Sequence, residues 1–598
     1  MSDAANDAAN DGPRRPVRIA NVSGFLGDRL AAAREMLDGP EPIDVLTGDY
    51  LAELTMLILG KQQQKDPATG YAGTFVRQMA DVMGDCLARG VKVVSNAGGL
   101  NSRGLRDRLL AVAAEQGLTP RIAVVEGDDL RDRIDVLDGL AGAVGAPIAT
   151  ANAYLGGHGI SAALGAGADI VVTGRVTDAS LVVGPAAWWH DWAPDDWDAL
   201  AGAVVAGHVI ECGPQATGGN YPFLHELAPG LPGFPIAEVA DDGSFVVTKQ
   251  PRTGGAVTPG TVTAQLLYEL GEPAYANPDV VAHFDTIELA PDGPDRVRVS
   301  GTRGAPPPDA LKVAVNFPGG YRNTMTMVVT GLDVEAKAAH AEAQLFAVLG
   351  GREQFDAVDV QLLRTDHTDT DRNPEATAQL RVTVKSTDRA LVGRRFSNAV
   401  TELSLQSYAG FFTTTPPMAE SAFGVYRPTF VPREAVHETV LLPDGTGFVV
   451  PPPPETTPLP TLRRSQAPTT SQRRNVWGET VRVALGAVCG ARSGDKGGNA
   501  NVGVWAVATG AADADTVYEW LHGFLTAARV QALLGPEAAA LEVQRHELPR
   551  LRALNFVVVG ILGDGVASSV RFDPQAKGLG EFLRSRVVDV PAALLSAR

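Results

Sequence analysis

Five short loops combine glycines with polar side chains directly after apolar segments that have the pattern of strands. They are residues 21–24, 47–50, 95–101, 126–129 and 173–178. Glycine lets backbone amides approach a ligand closely, and Asp, Asn and Arg side chains can exchange protons or hold an anion. Ligands of parallel sheets lie beyond the carboxyl ends of the strands, so the set predicts a small-molecule site. Any one of these loops, taken alone, is more typical of a turn or a helix cap.

The polar residues near these glycines include five catalytic candidates: Asp49, Asn96, His158, Asp178 and Glu211. We expect Asp49 or Asp178 to act as a base and His158 as an acid, because groups in different environments can divide these roles. Asn96 and loop amides would stabilise negative charge on an oxygen atom. Three structural alternatives stay open: a helix cap at Asp49, an ion pair between Asp178 and Arg175, and a histidine that only completes a turn.

A further cluster follows the apolar run over 201–210, where Glu211 and Cys212 stand beside a glycine. This composition indicates the edge of a site. A thiolate nucleophile at Cys212 would need a partner base, and His208 is the nearest in sequence. The interpretation that we favour for Cys212 is a buried, inert thiol.

Ten residues are predicted to bind substrate: Gly98, Gly99, Arg175, Gly219, Asn220, Arg492, Asp495, Lys496, Arg571 and Lys577. In the polar, glycine-rich segment 491–499, Arg492 and Lys496 together with glycine amides suit a carboxylate or a phosphate. A second charged cluster over 571–577 is expected to meet the first at one end of a small sheet. Charged turns are the alternative reading of both clusters.

Residues 157–162 match the dinucleotide-binding pattern G-x-G-x-x-A. Arg175, near the end of the next predicted strand, is placed to meet a 2′-phosphate. The preceding segment 149–154 is poorly apolar for a buried first strand. A single match of this kind is therefore weak evidence for NADP binding.

Composition argues against several classes of protein. The chain has 51 basic and 69 acidic residues and a net charge of −18, whereas nucleic acids and anionic membranes attract basic surfaces. Three cysteines without a CxxC pair fit neither a disulfide framework nor a cysteine-rich zinc site. The P-loop, HExxH and GxSxG motifs are missing, and the ten histidines form no short-spaced pair. We expect no dedicated metal site, and the sequence leaves the cofactor unknown.

The N-terminal segment lacks the apolar core of a signal peptide. The apolar stretches fall far short of the roughly 18 residues that cross a bilayer. We therefore expect a cytoplasmic protein that binds a small-molecule substrate and neither nucleic acid nor membrane. A chain of 598 residues with an exposed edge on a small sheet also favours a homo-oligomer.

The pattern along the chain predicts four regions: a disordered tail over 1–16, an α/β region over 17–450, a Pro-rich linker over 451–475 and a second unit over 476–598. Up to about residue 200, short apolar segments, of which 17–21 is the first, alternate with helices, which predicts a parallel sheet covered on both faces. Alternating segments between 201 and 450, such as 297–300, 312–317 and 325–330, predict the strands of a β-rich α+β extension, interrupted by a helix around 334–349. The predicted fold class is thus α/β with a small additional C-terminal domain.

The second unit has a different pattern. Strands are predicted over 480–488, 502–506, 540–545, 553–559 and 566–571, with helices over 516–525 and 575–586. Few helices on an antiparallel sheet indicate a ferredoxin-like α+β sandwich.

Longer motifs resemble the acyclic terpene utilisation protein A (AtuA) family, in a form fused to its ferredoxin-like domain. They are SNAGGLN at 95–101, GADIVVTGRVTDASL at 167–181, GHVIECGPQATGGNY at 207–221, ARSGDKGGNANVGVW at 491–505 and LNFVVVGILGDGVASSVRFDPQAKGLG at 554–580. The resemblance covers nearly the whole ordered chain. It implies a role in the catabolism of acyclic terpenes such as citronellol and geraniol, which proceeds through branched acyl-CoA thioesters. It supplies no assigned catalytic residues.

The loops and the resemblance together predict an enzyme of lyase or hydratase type that acts next to the carbonyl of an acyl-CoA or a carboxylic acid. A CoA thioester, branched or 3-hydroxylated, is the expected substrate. Arg175, Arg492 and Lys496 would hold its carboxylate or the phosphates of CoA. An NADP-dependent oxidoreductase and a non-catalytic subunit of an acyl-CoA-processing complex stay open as alternatives.

Overall fold

A computed structural model describes residues 14–137, 147–459 and 477–595. Most of the predicted tail (residues 1–13) and of the predicted linker (460–475) lies outside the described residues. The described chain forms two compact units. The first contains the described residues of 1–316, 426–566 and 575–598, and the second contains Phe317–Val425 and Ala567–Pro574.

The first part of the chain alternates strands and helices. In order they are β1 (Val17–Asn21), α1 (Ala32–Asp38), β2 (Val45–Gly48), α2 (Glu53–Lys65), α3 (Gly73–Arg89), β3 (Lys92–Ser95), α4 (Ser102–Glu115), β4 (Ile122–Glu126), β5 (Thr150–Ala153), α5 (His158–Gly165), β6 (Ile170–Thr173), α6 (Ser180–His190) and α7 (Trp197–Ile210). Strands β1, β2, β3, β6 and β4 pair in parallel in that spatial order. Nearly all of their residues are buried, as expected of a sheet covered on both faces. The predicted parallel sheet is confirmed.

Antiparallel strands extend this sheet on the β1 side. The next elements are β7 (Pro235–Val239), β8 (Phe245–Lys249), α8 (Pro259–Leu266), β9 (Ala274–Ala276), β10 (Val281–His283), β11 (Glu288–Pro291), β12 (Val297–Ser300), β13 (Arg303–Ala305) and β14 (Ala310–Thr330). The order β11-β12-β8-β7-β1 continues the sheet outward, with each new pair antiparallel. The predicted β-rich extension is confirmed, although the expected strands near 312 and 325 belong to one long strand, β14.

The second unit is built on the distal part of β14. The elements that follow are α9 (Val334–Leu349), β15 (Ala357–Leu363), β16 (Thr377–Ser386), α10 (Phe396–Glu402), β17 (Phe412–Thr413) and β18 (Ser421–Pro432). β16 pairs with β14 from Tyr321 opposite Ser386 to Thr330 opposite Thr377. Its core combines apolar residues of this sheet with the buried face of α9. β19 (Thr439–Leu441) and β20 (Gly447–Val449) return to the first unit, beside β4.

The last elements form a small α+β domain within the first unit. They are β21 (Thr480–Ala484), β22 (Cys489–Lys496), β23 (Asn499–Ala506), α11 (Ala514–Phe524), α12 (Ala527–Leu534), β24 (Val543–Leu548), β25 (Ala553–Val558), α13 (Leu579–Ser585) and β26 (Val587–Pro591). The four-stranded antiparallel sheet has the order β22-β23-β25-β24. Asp513 caps α11 by accepting from the Thr516 amide at 2.8 Å, and Val517, Trp520 and Leu521 bury one face of the helix. The predicted ferredoxin-like fold is confirmed.

The strand predicted over 566–571 is wrong. Its backbone carbonyls accept hydrogen bonds from long side chains of the second unit instead of from a neighbouring strand. Lys385 Nζ donates to the carbonyl of Ser568, and Arg322 donates to that of Ser569, both at 2.9 Å. Alternating apolar residues cannot reveal this arrangement, because the partners are far away in sequence.

The segment 491–499, which lies between the strands predicted over 480–488 and 502–506, is also different. It belongs to β22, the beginning of β23 and the two-residue turn between them. Gly490 and Gly494 leave room for aromatic rings, since a Cβ atom at either position would lie within 2.3 Å of a ring atom of Trp505 or Tyr268. Glycine here serves packing against a strand rather than a turn.

Across the described ranges, the helices are too short or too polar to cross a membrane.

Candidate active site

The first unit contains a cavity of about 870 Å³ at the carboxyl edge of the parallel strands. Gly24, which follows β1, lines it, as do Glu53 at the start of α2 and Arg175 and Asp178 after β6. This is the edge at which sheets of this type bind ligands. Of the five predicted loops, those after β1 and β6 line the cavity directly, and the one after β2 does so through the residues that follow it.

The small C-terminal domain supplies another part of the wall. Asp495, Lys496 and Gly497 come from the β22–β23 hairpin, and Gln575 and Lys577 from the segment before α13. Ser493 Oγ donates to the carbonyl of Ala576 at 2.6 Å, which fixes the segment that carries Lys577. The cavity therefore needs both the α/β region and the C-terminal domain.

Arg175 holds the α/β side of the site together. Its Nη1 atom donates to the carbonyl of Leu51 at 3.1 Å and to Asp178 Oδ1 at 2.6 Å. Its guanidinium carbon lies 4.4 Å from the ring centroid of Tyr154. The planar guanidinium can make these contacts at once, which suits Arg better than Lys. The predicted Arg175–Asp178 ion pair is present, and both residues also face the cavity.

Asp49 and Asn96 lie behind the cavity wall and are buried. Asn96 Nδ2 donates to Asp49 Oδ1 at 2.6 Å, and the Tyr50 amide donates to Asn96 Oδ1 at 2.9 Å. Burial and the nearby charge of Asp178 raise the pKa of Asp49 well above its ordinary value. The pair can hold the β2 and β3 loops together and act on the site electrostatically. It does not line the cavity.

Glu211 lines the cavity at the end of α7, beside His208 and Cys212. Asn21 Nδ2 positions this turn by donating to the carbonyls of Ile210 at 2.7 Å and Glu211 at 2.8 Å. Burial, reinforced by the charge of Asp178, raises the pKa of Glu211 well above its usual range. A protonated carboxyl group at this position can donate a proton to a ligand.

His208 and Cys212, which lie beside Glu211, are both uncharged near pH 7. Burial lowers the pKa of His208 to about 4, and its Nδ1 atom lies 3.4 Å from Glu211 Oε1. Burial, together with the charge of Glu211, raises the pKa of the Cys212 thiol well above its ordinary value. A thiol in this state is a poor nucleophile, in agreement with the inert role that we favour.

The loop after α8 carries Glu269 into the cavity. Two side chains of the C-terminal sheet hold this loop by hydrogen bonds. Asn501 Oδ1 accepts from the Glu269 amide at 2.9 Å, and Asn555 Nδ2 donates to the carbonyl of Leu270 at 2.8 Å. Burial and the charge of Asp495 raise the pKa of Glu269 to about 7, while burial and Glu53 raise that of Asp495 to about 6. Carboxyl groups with such values can exchange protons near neutral pH.

Two lysines face these carboxyl groups. Lys312 Nζ lies 4.8 Å from the ring centroid of Tyr154, and Lys496 Nζ lies 5.2 Å from that of Tyr275. Although burial opposes it, the charges of Lys312 and Arg175 lower the pKa of Glu53. The cavity thus combines cations that can hold a carboxylate or a carbonyl oxygen with carboxyl groups whose raised pKa values allow them to act as acids.

The other predicted residues lie in four places. Gly219, Asn220 and Lys577 line the cavity. Arg492 lies just behind it, stacked 4.3 Å from the ring of Tyr268, and hydrogen-bonds to Gln215. Gly98 and Gly99 do not line it and pack closely instead, since a Cβ atom at Gly98 would lie 2.2 Å from the Ser102 hydroxyl. Arg571 belongs to the second unit.

His158 belongs to a different cluster, at the beginning of α5. Its Nδ1 atom lies 2.7 Å from Asp279 Oδ1. The same carboxylate accepts from the Gly157 amide at 2.9 Å, and Glu438 Oε1 accepts from the Gly159 amide at 2.9 Å. A dinucleotide pyrophosphate would need these amides. Because two carboxylates of the chain already occupy them, and β5 pairs with β14 outside the parallel sheet, this geometry disfavours NADP binding here.

Among the residues that line the cavity, sequence reasoning missed Tyr154, Glu269 and Lys312. Lys312 carried a usable signal, as the lone charge in the apolar segment LKVAV. Glu269 carried none, because its place depends on the packing of the distant C-terminal sheet. Among the described residues, no group of His, Cys, Asp and Glu side chains has an arrangement suited to a metal ion.

Two family profiles match the chain, one in each of the two parts that line the cavity. A search of the curated proteins returns no significant match. The sequence profile of the AtuA ferredoxin-like domain matches residues 483–589, which include the hairpin that carries Lys496. The profile described as "Acyclic terpene utilisation family protein AtuA" matches residues 17–442, well over half of the chain. The protein therefore belongs to the AtuA family of acyclic terpene utilisation.

Proposed function

We propose that this protein is an enzyme of acyclic terpene or related branched-acid catabolism that performs lyase or hydratase chemistry next to a carbonyl group. Family membership supports the role in terpene utilisation. The observation that carries the chemical proposal is the cavity in which Glu211, whose pKa is raised by burial, shares a wall with Lys312 and Lys496. Its volume of about 870 Å³ falls within the usual range for small-molecule sites, roughly 300–1,000 Å³.

These groups can carry out the elimination or addition of water. Asp178 takes a proton from the carbon next to the carbonyl, and the electron pair moves onto the carbonyl oxygen beside Lys312 or Lys496. The pair then returns and expels a hydroxyl group from the next carbon. That group leaves as water with the proton of Glu211. The reverse sequence adds water.

The other catalytic candidates predicted from the sequence do not contact the substrate in this scheme. Asp49 and Asn96 act through the cavity wall and position the loops, so we propose them as positioning residues. His158 has no part, because its cluster does not line the cavity. The substrate is a carboxylic acid or its CoA thioester, with the acyl group in the cavity.

The test follows water and proton exchange in the full-length protein. Branched 2-enoyl-CoA and 3-hydroxyacyl-CoA thioesters, and the matching free acids, are incubated in D₂O and analysed by mass spectrometry. We expect interconversion by the addition or loss of water, or deuterium next to the carbonyl, for at least one member of the panel. Glu211→Gln should lower the rate at which water is added or lost by about 10²–10⁴-fold.

The matched control for Glu211→Gln is a glutamate outside the cavity. Glu519→Gln changes the same residue type at an exposed position on α11 and should keep the rate. A folded wild-type chain that converts and exchanges no member of the panel would contradict the enzyme proposal. It would favour the alternative of a non-catalytic subunit.

A further inference from the structure

The ammonium groups of Lys312 and Lys496 share one cavity and have unusual surroundings. Across the described ranges, neither makes a salt bridge or a side-chain hydrogen bond, and both lie against aromatic rings. Lysines in such protected positions are normally paired with a carboxylate. The chain has nine lysines, and Lys577 is a third that lines this cavity.

The fold holds Lys496 in a fixed position. It is the last residue of β22 and pairs with Asn499 across a two-residue turn. Gly497, the first turn residue, has a φ of 61°, a region that favours glycine. The turn is anchored from outside, since the Leu562 amide donates to the carbonyl of Gly498 at 2.9 Å. A short, anchored hairpin leaves the side chain of Lys496 little freedom except toward the cavity.

The surroundings lower the pKa of Lys496 and so increase the share of its neutral, nucleophilic amine. Burial and the positive charge of Lys312 lower its pKa, against the opposing charges of Glu269, Glu211 and Glu53. His208 and Tyr275 also face this group, and both are uncharged near pH 7. A lysine beside a second cation in a shielded pocket is the arrangement that turns an ammonium group into a nucleophile.

We propose that Lys496 is an amine nucleophile that forms an imine with a substrate acid carrying a ketone, while Lys312 holds the negative charge of that acid. The inference rests on the proposed function, because it places the same carbonyl chemistry in the same cavity. It also restricts the expected substrates to acids that carry a ketone. A compound whose only carbonyl is a thioester would be attacked by acyl transfer and would not form a stable imine.

The step balances without a further reactant. The nitrogen lone pair forms a bond to the ketone carbon. The ketone oxygen leaves as water, with one proton from the amine and one from Glu211, and a protonated imine remains. This cation then accepts the electron pair of a C–H bond on the neighbouring carbon, whose proton goes to Asp178, or of the bond to a carboxylate, which leaves as carbon dioxide, and a neutral enamine forms. A proton from Asp178 or from solvent then adds to that carbon and restores the protonated imine. Water hydrolyses the protonated imine, which releases the ketone, regenerates the amine of Lys496 and returns a proton to Glu211.

Borohydride trapping in the full-length protein tests the proposal. The probes are 3-oxobutanoate and 4-oxopentanoate, each incubated with the chain and then reduced with sodium borohydride. Peptide mass spectrometry should find the reduced adduct on Lys496 at a level at least about tenfold above that on the other lysines. Lys496→Arg keeps a long basic side chain but cannot form an imine, so we expect no adduct at this position and no transfer to a neighbour.

Two further variants test the position of the adduct and its dependence on pH. Lys65→Arg, at an exposed position on α2, should keep the adduct on Lys496. Lys312→Met removes the neighbouring cation, so half-maximal trapping should move to higher pH. Labelling spread evenly over the lysines, or none on Lys496, would overturn the proposal.

The outcome also separates this inference from the proposed function. If Lys496→Arg is folded by circular dichroism and still exchanges deuterium at the wild-type rate, the imine is wrong and the hydratase or lyase proposal stands. If Lys496 is trapped specifically but no thioester or acid is converted or exchanged, the nucleophile stands and the proposed function fails.

Discussion

Among single residues, Glu269 should make the stability of the fold depend on pH. Burial raises its pKa from 4.5 to about 7, so between these values the folded chain keeps a proton that the unfolded chain releases. Its contribution to the free energy of unfolding is therefore lost as pH rises from about 4.5 to 7. Glu269→Gln should flatten this decline. Urea unfolding at several values between pH 5 and 8 measures the slope.

The control for Glu269→Gln is a carboxyl group that does not face the cavity. Glu519→Gln, exposed on α11, should leave the slope as in the wild type. An identical slope in the wild type and Glu269→Gln would mean that Glu269 ionises in the folded chain as it does in the unfolded one, and the acid–base role of this carboxyl group would be wrong.

Arg175 gives a second prediction at the residue scale. Its guanidinium bonds Leu51 and Asp178 and stacks on Tyr154, and a lysine cannot reproduce all three contacts. Arg175→Lys should cost about 1–3 kcal/mol in the free energy of unfolding, the range for leaving a buried partner unsatisfied. Urea unfolding tests this value. The surface pair of Arg121 with Asp169 provides the control, where Arg121→Lys should cost no more than about 1 kcal/mol.

The sequence predicts some of these residues and not others, for a physical reason. Asp178 and Arg175 follow a parallel strand, and the position of such loops depends on local pattern and sheet type alone. Lys312 lies inside an antiparallel strand, and Glu269 lies in a loop held by Asn501 and Asn555. The place of Glu269 results from contacts more than 200 residues apart in sequence, which periodicity does not encode.

At the scale of elements, Gly494 of β22 allows the C-terminal sheet to approach the loop that carries Glu269. A Cβ atom at Gly494 would lie 2.3 Å from the ring of Tyr268. Gly494→Ala should therefore displace the loop and destabilise the chain by about 1–3 kcal/mol, as overpacking usually does. The rate of the proposed reaction should fall with it. Thermal unfolding and the deuterium-exchange assay measure the two effects.

The matched control for this element is another glycine of the same domain. A Cβ atom added at Gly523, in α11, would have open space around it, with no neighbouring atom within 4 Å. Gly523→Ala should therefore stabilise the helix by up to about 1 kcal/mol. If Gly494→Ala is as stable and active as Gly523→Ala, close packing of β22 against the loop does not matter to the site.

Most strands and helices could be predicted because their residues follow periods of two or near 3.6. Val17–Asn21, Val297–Ser300 and Val334–Leu349 have the predicted bounds. The errors arise where distant side chains replace ladder bonds, as at 566–571, or where glycines serve packing, as in Cys489–Lys496. Both depend on partners that the local sequence does not contain.

For the whole molecule, the decisive feature is that the cavity is shared between the two parts of the chain that the two family profiles match. The parts also contact each other through Asn501, Asn555 and Arg550, whose guanidinium donates to the carbonyl of Thr286 at 3.3 Å. We therefore expect fragments 1–459 and 477–598, produced together as separate chains, to copurify. The pair should recover the reaction, and either fragment alone should be inactive.

The interface variant Asn555→Ala makes the association of these fragments quantitative. It leaves the carbonyls of Leu270 and Gly271 without their donor, which should cost about 1–3 kcal/mol for each buried group left unsatisfied. That loss corresponds to a roughly 5- to 150-fold weaker association of the fragments for one such group, measurable by titration calorimetry. Arg529→Ala, on the exposed side of α12, should not change the affinity. Fragments that never associate, or a 1–459 fragment that is fully active alone, would show that the C-terminal domain does not complete the site.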